Sequence, residues 1–191
     1  MKNKGKQQRS KQTIDTILTA AAQVLAEEGY ERASTNRIAE KAGYSVGTLY
    51  QYFNDKEDVY NELVSGELGK IIRAVNETST NQTLSEMLVD MMSRAHQALG
   101  SELVLVQALG QLIAGPFRGL RATARAEIVA SIVRLLQAHK DEIALDNLHL
   151  AAETLVSATE GLAVNSTTSS FSPAEMRAHE LRLQLAYLTM Q

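Results

Sequence analysis

The sequence contains no cysteine and only two prolines, Pro116 and Pro173. Without cysteine there is no disulfide framework, no thiolate metal site and no thiol nucleophile, which fits a reducing, cytoplasmic setting. With so little proline and few β-branched runs, the many Ala, Leu, Glu and Gln residues are free to form helix. No apolar run approaches the roughly 20 residues that cross a bilayer. The basic start, MKNKGKQQRSK, leads into a periodic amphipathic segment rather than an apolar signal core, so no secretory peptide is expected and no membrane partner is assigned.

Catalytic signals are equally sparse. The four histidines, His96, His139, His149 and His179, are scattered and match no metal-ligand spacing. No glycine loop suited to cradling a phosphate occurs. The chain therefore reads as a non-enzyme that needs no metal and no cofactor. Its 191 residues, 45% of them hydrophobic, suffice for a small domain and a larger one.

The net charge of −3 is unevenly placed. Residues 1–54 hold eight Lys/Arg against five Asp/Glu, a balance of +3, and residues 55–191 hold eleven against seventeen, a balance of −6. A basic head on an acidic body suits a chain that meets phosphates at one end. Lys2, Lys4, Lys6, Arg9 and Lys11 form an arm without an acid, read as disordered when free. Two roles stay open for it, a solubilising tail and a contact to phosphates or a minor groove.

What the head contains is the most informative pattern. Ser34–Phe53, STNRIAEKAGYSVGTLYQYF, reads as two short helices joined at Gly43, with Ala39 at their crossing. Ile38, Ala42, Val46 and Leu49 fall where crossed helices share a core. This is a helix-turn-helix pattern, whose second helix enters the major groove. Helix one is expected from about Thr13 to Glu28, with Gly29 after its end, and helix two from an N-cap at Ser34. Helix three is expected over Val46–Phe53 with Ser45 as N-cap, and a longer fourth helix from Asn54 or Asp55.

The rest of the chain is periodic and apolar in helical register. Leu84, Met87, Leu88, Met91 and Met92 mark one helix. Leu103–Ile113, apolar nearly all round, marks a central one. Further helices follow over Ala122–His139, from Asp146 or Asn147, and after the Ser172-Pro173-Ala174-Glu175 capping box. The expected class is all-α, with about nine helices and no sheet.

The run from Ile14 through Val64 resembles the DNA-binding head of TetR-type transcriptional repressors. The motifs that carry the resemblance are AAAQVLAEEGYERAST, TNRIAEKAG, SVGTLYQYF and NDKEDVY, in that order. They cover about the first third of the chain. The resemblance implies a DNA-binding domain over 11–71, with its helix-turn-helix at about 34–53, and a ligand-binding and dimerisation domain over 72–191. It implies a homodimer that binds a palindromic operator in double-stranded DNA and is released by a small-molecule effector; an activator, or an architectural DNA-binding protein, are the alternatives.

Residue by residue, Thr35 resembles the family's phosphate-contacting threonine and Lys56 its phosphate-anchoring lysine. Leu49 faces inward, so Thr48, Tyr50 and Gln51 can face out. Gln51 can pair with adenine or remain a solvated side chain. Tyr50 and Tyr52 can meet a thymine methyl or a phosphate, Tyr52 with part of its ring against helix one. Gly47 permits close approach to a base edge, Ser45 caps the reading helix, and Arg37 is a candidate for base or phosphate. Tyr44 departs from the smaller apolar residue usual at the turn.

For the effector, Met87, Met91, Met92 and Phe117 suit an adaptable pocket, or plain core; Arg94 and His96 are polar candidates beside them. For the second subunit, Ala151, Leu155, Ala158 and Leu162 with Leu181, Leu185 and Leu188 form apolar stripes expected at a subunit interface, with the monomer core as the alternative.

Overall fold

The computed structural model describes residues 2–99, 110, 112–113, 115–165 and 172–190. Among them are eight α-helices, one 3-10 turn over Lys140–Glu142 and no strand: α1 (Lys2–Glu28), α2 (Thr35–Ala42), α3 (Val46–Leu49), α4 (Lys56–Asn76), α5 (Leu84–Leu99), α6 (Arg118–Ala138), α7 (Leu148–Asn165) and α8 (Pro173–Thr189). The helix expected over Leu103–Ile113 lies mostly outside the described residues. Leu112, near its end, is buried.

Two compact units divide the chain inside α4. The first runs to Gly66 and takes in the segment that ends at Arg118. Its core is built from Ile17, Ala21, Val24 and Leu25 of α1, Ile38 and Ala39 of α2, Leu49 of α3, and Val59, Tyr60 and Val64 of α4, all nearly or wholly buried. Gly29 ends α1 at φ +76°, a left-handed conformation that suits glycine.

α1 starts eleven residues before the expected Thr13, so the arm expected to be disordered is helical. Thr13 explains the difference. Its hydroxyl donates to the Arg9 carbonyl, one turn back, at 3.0 Å, so it sits inside the helix instead of capping it. Lys, Gln and Arg are good helix formers, and extending an anchored helix adds one hydrogen bond per residue ordered.

The second unit spans the end of α4 from Glu67, α5, and α6 to α8. Its core joins Leu84, Met87, Leu88 and Met91 of α5 to Val129, Ile132 and Leu136 of α6 and to α7 and α8. The capping box at Ser172 is formed, and α5 has a second one: Thr83 N donates to Glu86 Oε2 at 2.9 Å while Glu86 N donates to Thr83 Oγ1 at 3.3 Å. Glu142, below its ordinary carboxylate range chiefly because of its hydrogen bond to His139, also accepts from Leu84 N at 3.1 Å.

This core corrects the expected subunit stripe. Ala151, Leu155 and Leu188 are buried among the unit's own side chains, with no free surface for a partner. Leu181 and Leu185 pack half-buried against the same cluster, and Ala158 and Leu162 are also half-buried. The first half of the stripe on α7, Ala151 and Leu155, turns inward because the unit has its own apolar helices to cover. The exposed apolar residues of α7 and α8 are instead Leu150 (58%) and Leu183 (57%).

A core position and an interface position respond differently to truncation. Leu155→Ala should lower unfolding free energy by about 2–5 kcal/mol. Denaturant unfolding at several protein concentrations checks this, because a core loss is the same at each, whereas an interface loss shrinks on dilution as the unaltered dimer itself dissociates.

Candidate nucleic-acid interface

The two helices of the motif are fixed from their ends. Ser34 caps α2, its hydroxyl accepting from Arg37 N at 3.3 Å. At the other end Gly43, at φ +72°, donates to the Glu40 carbonyl at 3.1 Å while Tyr44 N donates to the Ala39 carbonyl at 3.0 Å. These two bonds form a Schellman closure, and the left-handed residue within it favours glycine. Ser45 then caps α3, accepting from Thr48 N at 3.0 Å, and its hydroxyl pairs with the Thr48 hydroxyl at 2.9 Å.

α3 is shorter than the expected Val46–Phe53. Regular helix ends at Leu49, and the chain goes on as turns, with Gln51 N bonded to the Thr48 carbonyl and Phe53 N to the Leu49 carbonyl. Leu49 and Phe53 are buried on the inner side, which pins this short element to the head. Asp55 caps α4, its side chain accepting from Asp58 N at 2.8 Å.

On the outer side Gly47, Tyr50 and Gln51 are exposed, and Thr48 is half-buried. Tyr50, 53% exposed, pairs its hydroxyl with that of Thr35 at 3.1 Å. This contact links the first residue of α2 to the outer face of α3. A Cβ built at Gly47 would meet only Ser45 Oγ, at 3.7 Å, so nothing inside the head requires glycine there.

Three expected DNA contacts are occupied within the head. Arg37 donates through Nη2 to Glu28 at 2.7 Å, through Nε to the same carboxylate at 3.2 Å, and through Nη1 to Glu40 at 2.9 Å. The hydrogen bond from Arg37 holds the Glu28 carboxyl below its usual range. With two acids on one guanidinium, Arg37 braces α2 against the end of α1 and has little charge to offer a phosphate. Lys56 Nζ donates to the Tyr30 carbonyl at 2.9 Å and lies 4.3 Å from the centroid of the Tyr30 ring. Tyr30 in turn meets Tyr60 and Phe117 edge-on, at 5.3 and 5.9 Å. Tyr52, half-buried, accepts a hydrogen bond from Ser10 of α1 at 3.4 Å.

Glu28 and Ser10 are the functional partners that sequence reasoning missed. Glu27 and Glu28 do close α1 as an acidic pair, and Lys41 and Arg37 of α2 receive them, Lys41 at 2.7 Å from Glu27. The expected pocket residues fall in both units. Met87 and Met91 belong to the aliphatic core of the second unit and Met92 is also buried, whereas Phe117 belongs to the first unit, on Tyr30. Arg94 is paired with Asp90 at 2.9 Å, and His96 Nδ1 lies 2.7 Å from the Met92 carbonyl.

A three-helix head that presents a capped helix beyond a Schellman turn defines a helix-turn-helix DNA-binding regulator. Residues 17–63 match the model of bacterial regulatory proteins of the tetR family. The head of this chain is thus of the type found in that family of DNA-binding transcription regulators. It is 34% identical over 87 residues to the fatty acid metabolism regulator protein of Bacillus subtilis, a match spanning 45% of each chain. It is 27% identical over 146 residues to the transcriptional repressor AcnR of Corynebacterium diphtheriae, covering 73% of this chain and 75% of that one. Its fold is similar to that of the fatty acid degradation regulator FadR from Bacillus halodurans, with a TM-score of 0.76 at 24% identity over 91% of this chain and 94% of that one. No helix among the described residues is long and apolar enough to cross a membrane.

The brace between α1 and α2 has a pH signature. Glu28 has a folded pKa below its ordinary value of 4.5, so its contribution is complete above about pH 4.5 and fades as pH falls through the folded value. Thermal unfolding of the native protein and Glu28→Gln should differ at neutral pH and converge in acid.

Proposed function

We propose that this regulator is a repressor that binds a palindromic operator as a homodimer and releases it when a small molecule occupies the second unit. The observation that carries the reading is the outer side of α3 and of the turn after it, where Gly47 on the helix and Tyr50 and Gln51 just past its end stand exposed on a segment held from behind by Leu49. Two such faces one helical turn apart, about 34 Å, fit successive major grooves and call for an inverted repeat. Of the curated relatives, AcnR bears the name of a repressor.

In this reading Tyr50 and Gln51 meet base edges, and Gly47 lets the backbone come close to the groove floor. Thr35 stands at the N-terminus of α2, where backbone N–H groups favour a phosphate. Ser45 and Thr48 keep α3 capped, and Tyr52 positions the following turn. Lys56 acts first on Tyr30, fixing the start of α4, and has two further N–H donors for a phosphate. Arg37 acts by holding α2. A ligand causes release only by binding the DNA-incompetent arrangement more tightly than the competent one.

Selection of bound duplexes from a random pool with the purified protein tests this directly. An inverted-repeat winner is expected; enrichment of no sequence overturns the reading. On that duplex Tyr50→Ala should cost roughly 1–3 kcal/mol and relax the preference at one position of each half-site. Gly47→Ala separates recognition from folding. Its thermal midpoint should hold or rise, since alanine favours helix by about 1 kcal/mol, while operator affinity falls.

A further inference from the structure

The interior of the second unit holds a carboxylate without a cation. Glu180 of α8 is 4% exposed, and its Oε1 accepts from the Thr159 hydroxyl of α7 at 2.5 Å and from Gln184 Nε2 at 3.1 Å. No cation among the described residues pairs with it; Arg177, His179 and Arg182, its neighbours in sequence, are exposed. Gln184, 2% exposed, also donates through Nε2 to Thr159 Oγ1 at 3.1 Å. These bonds fix which way the amide lies, because the carboxylate beside it needs a donor. Gln184 Oε1 is left as a second buried acceptor, with no hydrogen-bond donor. Glu180 and Gln184 stand one turn apart on the same side of α8.

This arrangement costs folding free energy. A buried charge is tolerated when it is paired, and an orphaned acceptor gives up its hydration without return. Packing alone does not call for it. Leu155 and Leu188, one turn along α7 and α8 from Thr159 and Gln184, continue the same sides of the two helices as plain core. The same core holds Met87 and Met91 of α5, unbranched side chains that adapt to a new neighbour. Two acceptors on one side select the chemistry of what they would meet. An anion would face like charge, and an apolar group would leave both acceptors unmet. An ammonium or amidinium group brings N–H donors for each and a charge for the carboxylate.

We propose that Glu180 and Gln184 form the recognition point for a cationic effector, whose ammonium or amidinium group binds between α7 and α8 by donating to the Glu180 carboxylate and to Gln184 Oε1. The inference rests on the reading that a small molecule in the second unit releases the operator. Because both acceptors are closed to solvent, the ligand reaches them only by parting α7 from α8. Occupancy therefore favours a different packing of these helices, which is the differential affinity that release demands.

The test uses three probes with one apolar body and different heads: phenylbutylammonium, phenylbutanol and phenylbutanoate. Titration calorimetry at neutral pH measures their binding to the full-length protein, to Glu180→Gln and to Gln184→Met, and circular dichroism checks that each variant is folded. The native protein should bind the ammonium roughly ten-fold or more tightly than the alcohol, with the carboxylate weakest. Glu180→Gln keeps the shape and removes the charge, so it should erase the preference for ammonium over alcohol. Gln184→Met fills a similar volume without the second acceptor and should weaken ammonium binding alone. Fluorescence anisotropy on the selected inverted repeat should show weaker DNA binding when the ammonium is present, and this effect should be lost in Glu180→Gln.

Equal affinity for the three heads, preference for the carboxylate, or binding of none of them overturns this inference. A carboxylate that binds and releases the operator overturns it while leaving the release reading intact. Ammonium preference that survives in Glu180→Gln makes the cluster a structural feature of the α7–α8 contact and overturns the assignment. Ammonium binding that depends on Glu180 but leaves operator affinity unchanged keeps the binding point and removes the effector reading instead.

Discussion

The burial of Leu49 is the contact on which the reading surface depends. α3 is only four residues long, too short to persist alone. Its place comes from Leu49 and Phe53, buried in the first unit, and from Ser45, which satisfies the first free N–H groups. Ile38 and Ala39 bury the facing side of α2 in the same core. With the inner side spent on packing, the outer side is left exposed and open to selection for contact.

The head is also held by polar links between helices. Glu28 and Glu27 close α1 onto Arg37 and Lys41 of α2, and Thr35 meets Tyr50 across the turn. These groups are largely exposed, so each is modest in energy and weakened by salt. Their value is geometric, since they limit how α2 and α3 rotate over α1. Placing Arg37 in that brace and Lys56 on Tyr30 gives two cations of a DNA-binding head internal work.

The helix-turn-helix was legible because its signals are local. Gly43, the two serine caps and Leu49 lie within sixteen residues, and each states its own backbone requirement. The all-helical class and the Ser172 capping box were legible for the same reason. Contacts between distant segments were not. Nothing near Arg37 announces Glu28, nine positions earlier on another helix, nor does Ser10 announce Tyr52. The start of α1 was missed because the acid-free run before Thr13 reads as a solvated arm, whereas its Lys, Gln and Arg also propagate an anchored helix. Ala151, Leu155 and Leu188 misled because periodicity shows that a helix has an apolar side but not which neighbour covers it.

Phe117 gives the first unit an unusual construction. Its ring closes on Tyr30, and Tyr30 carries the Lys56 contact that steadies the start of α4, yet more than fifty residues separate Phe117 from the end of the unit's main segment at Gly66. During synthesis on the ribosome the segment holding α3 emerges long before the ring that completes its aromatic cluster. The nascent head therefore waits, incompletely packed, until translation has passed Arg118, and only then reaches its finished form.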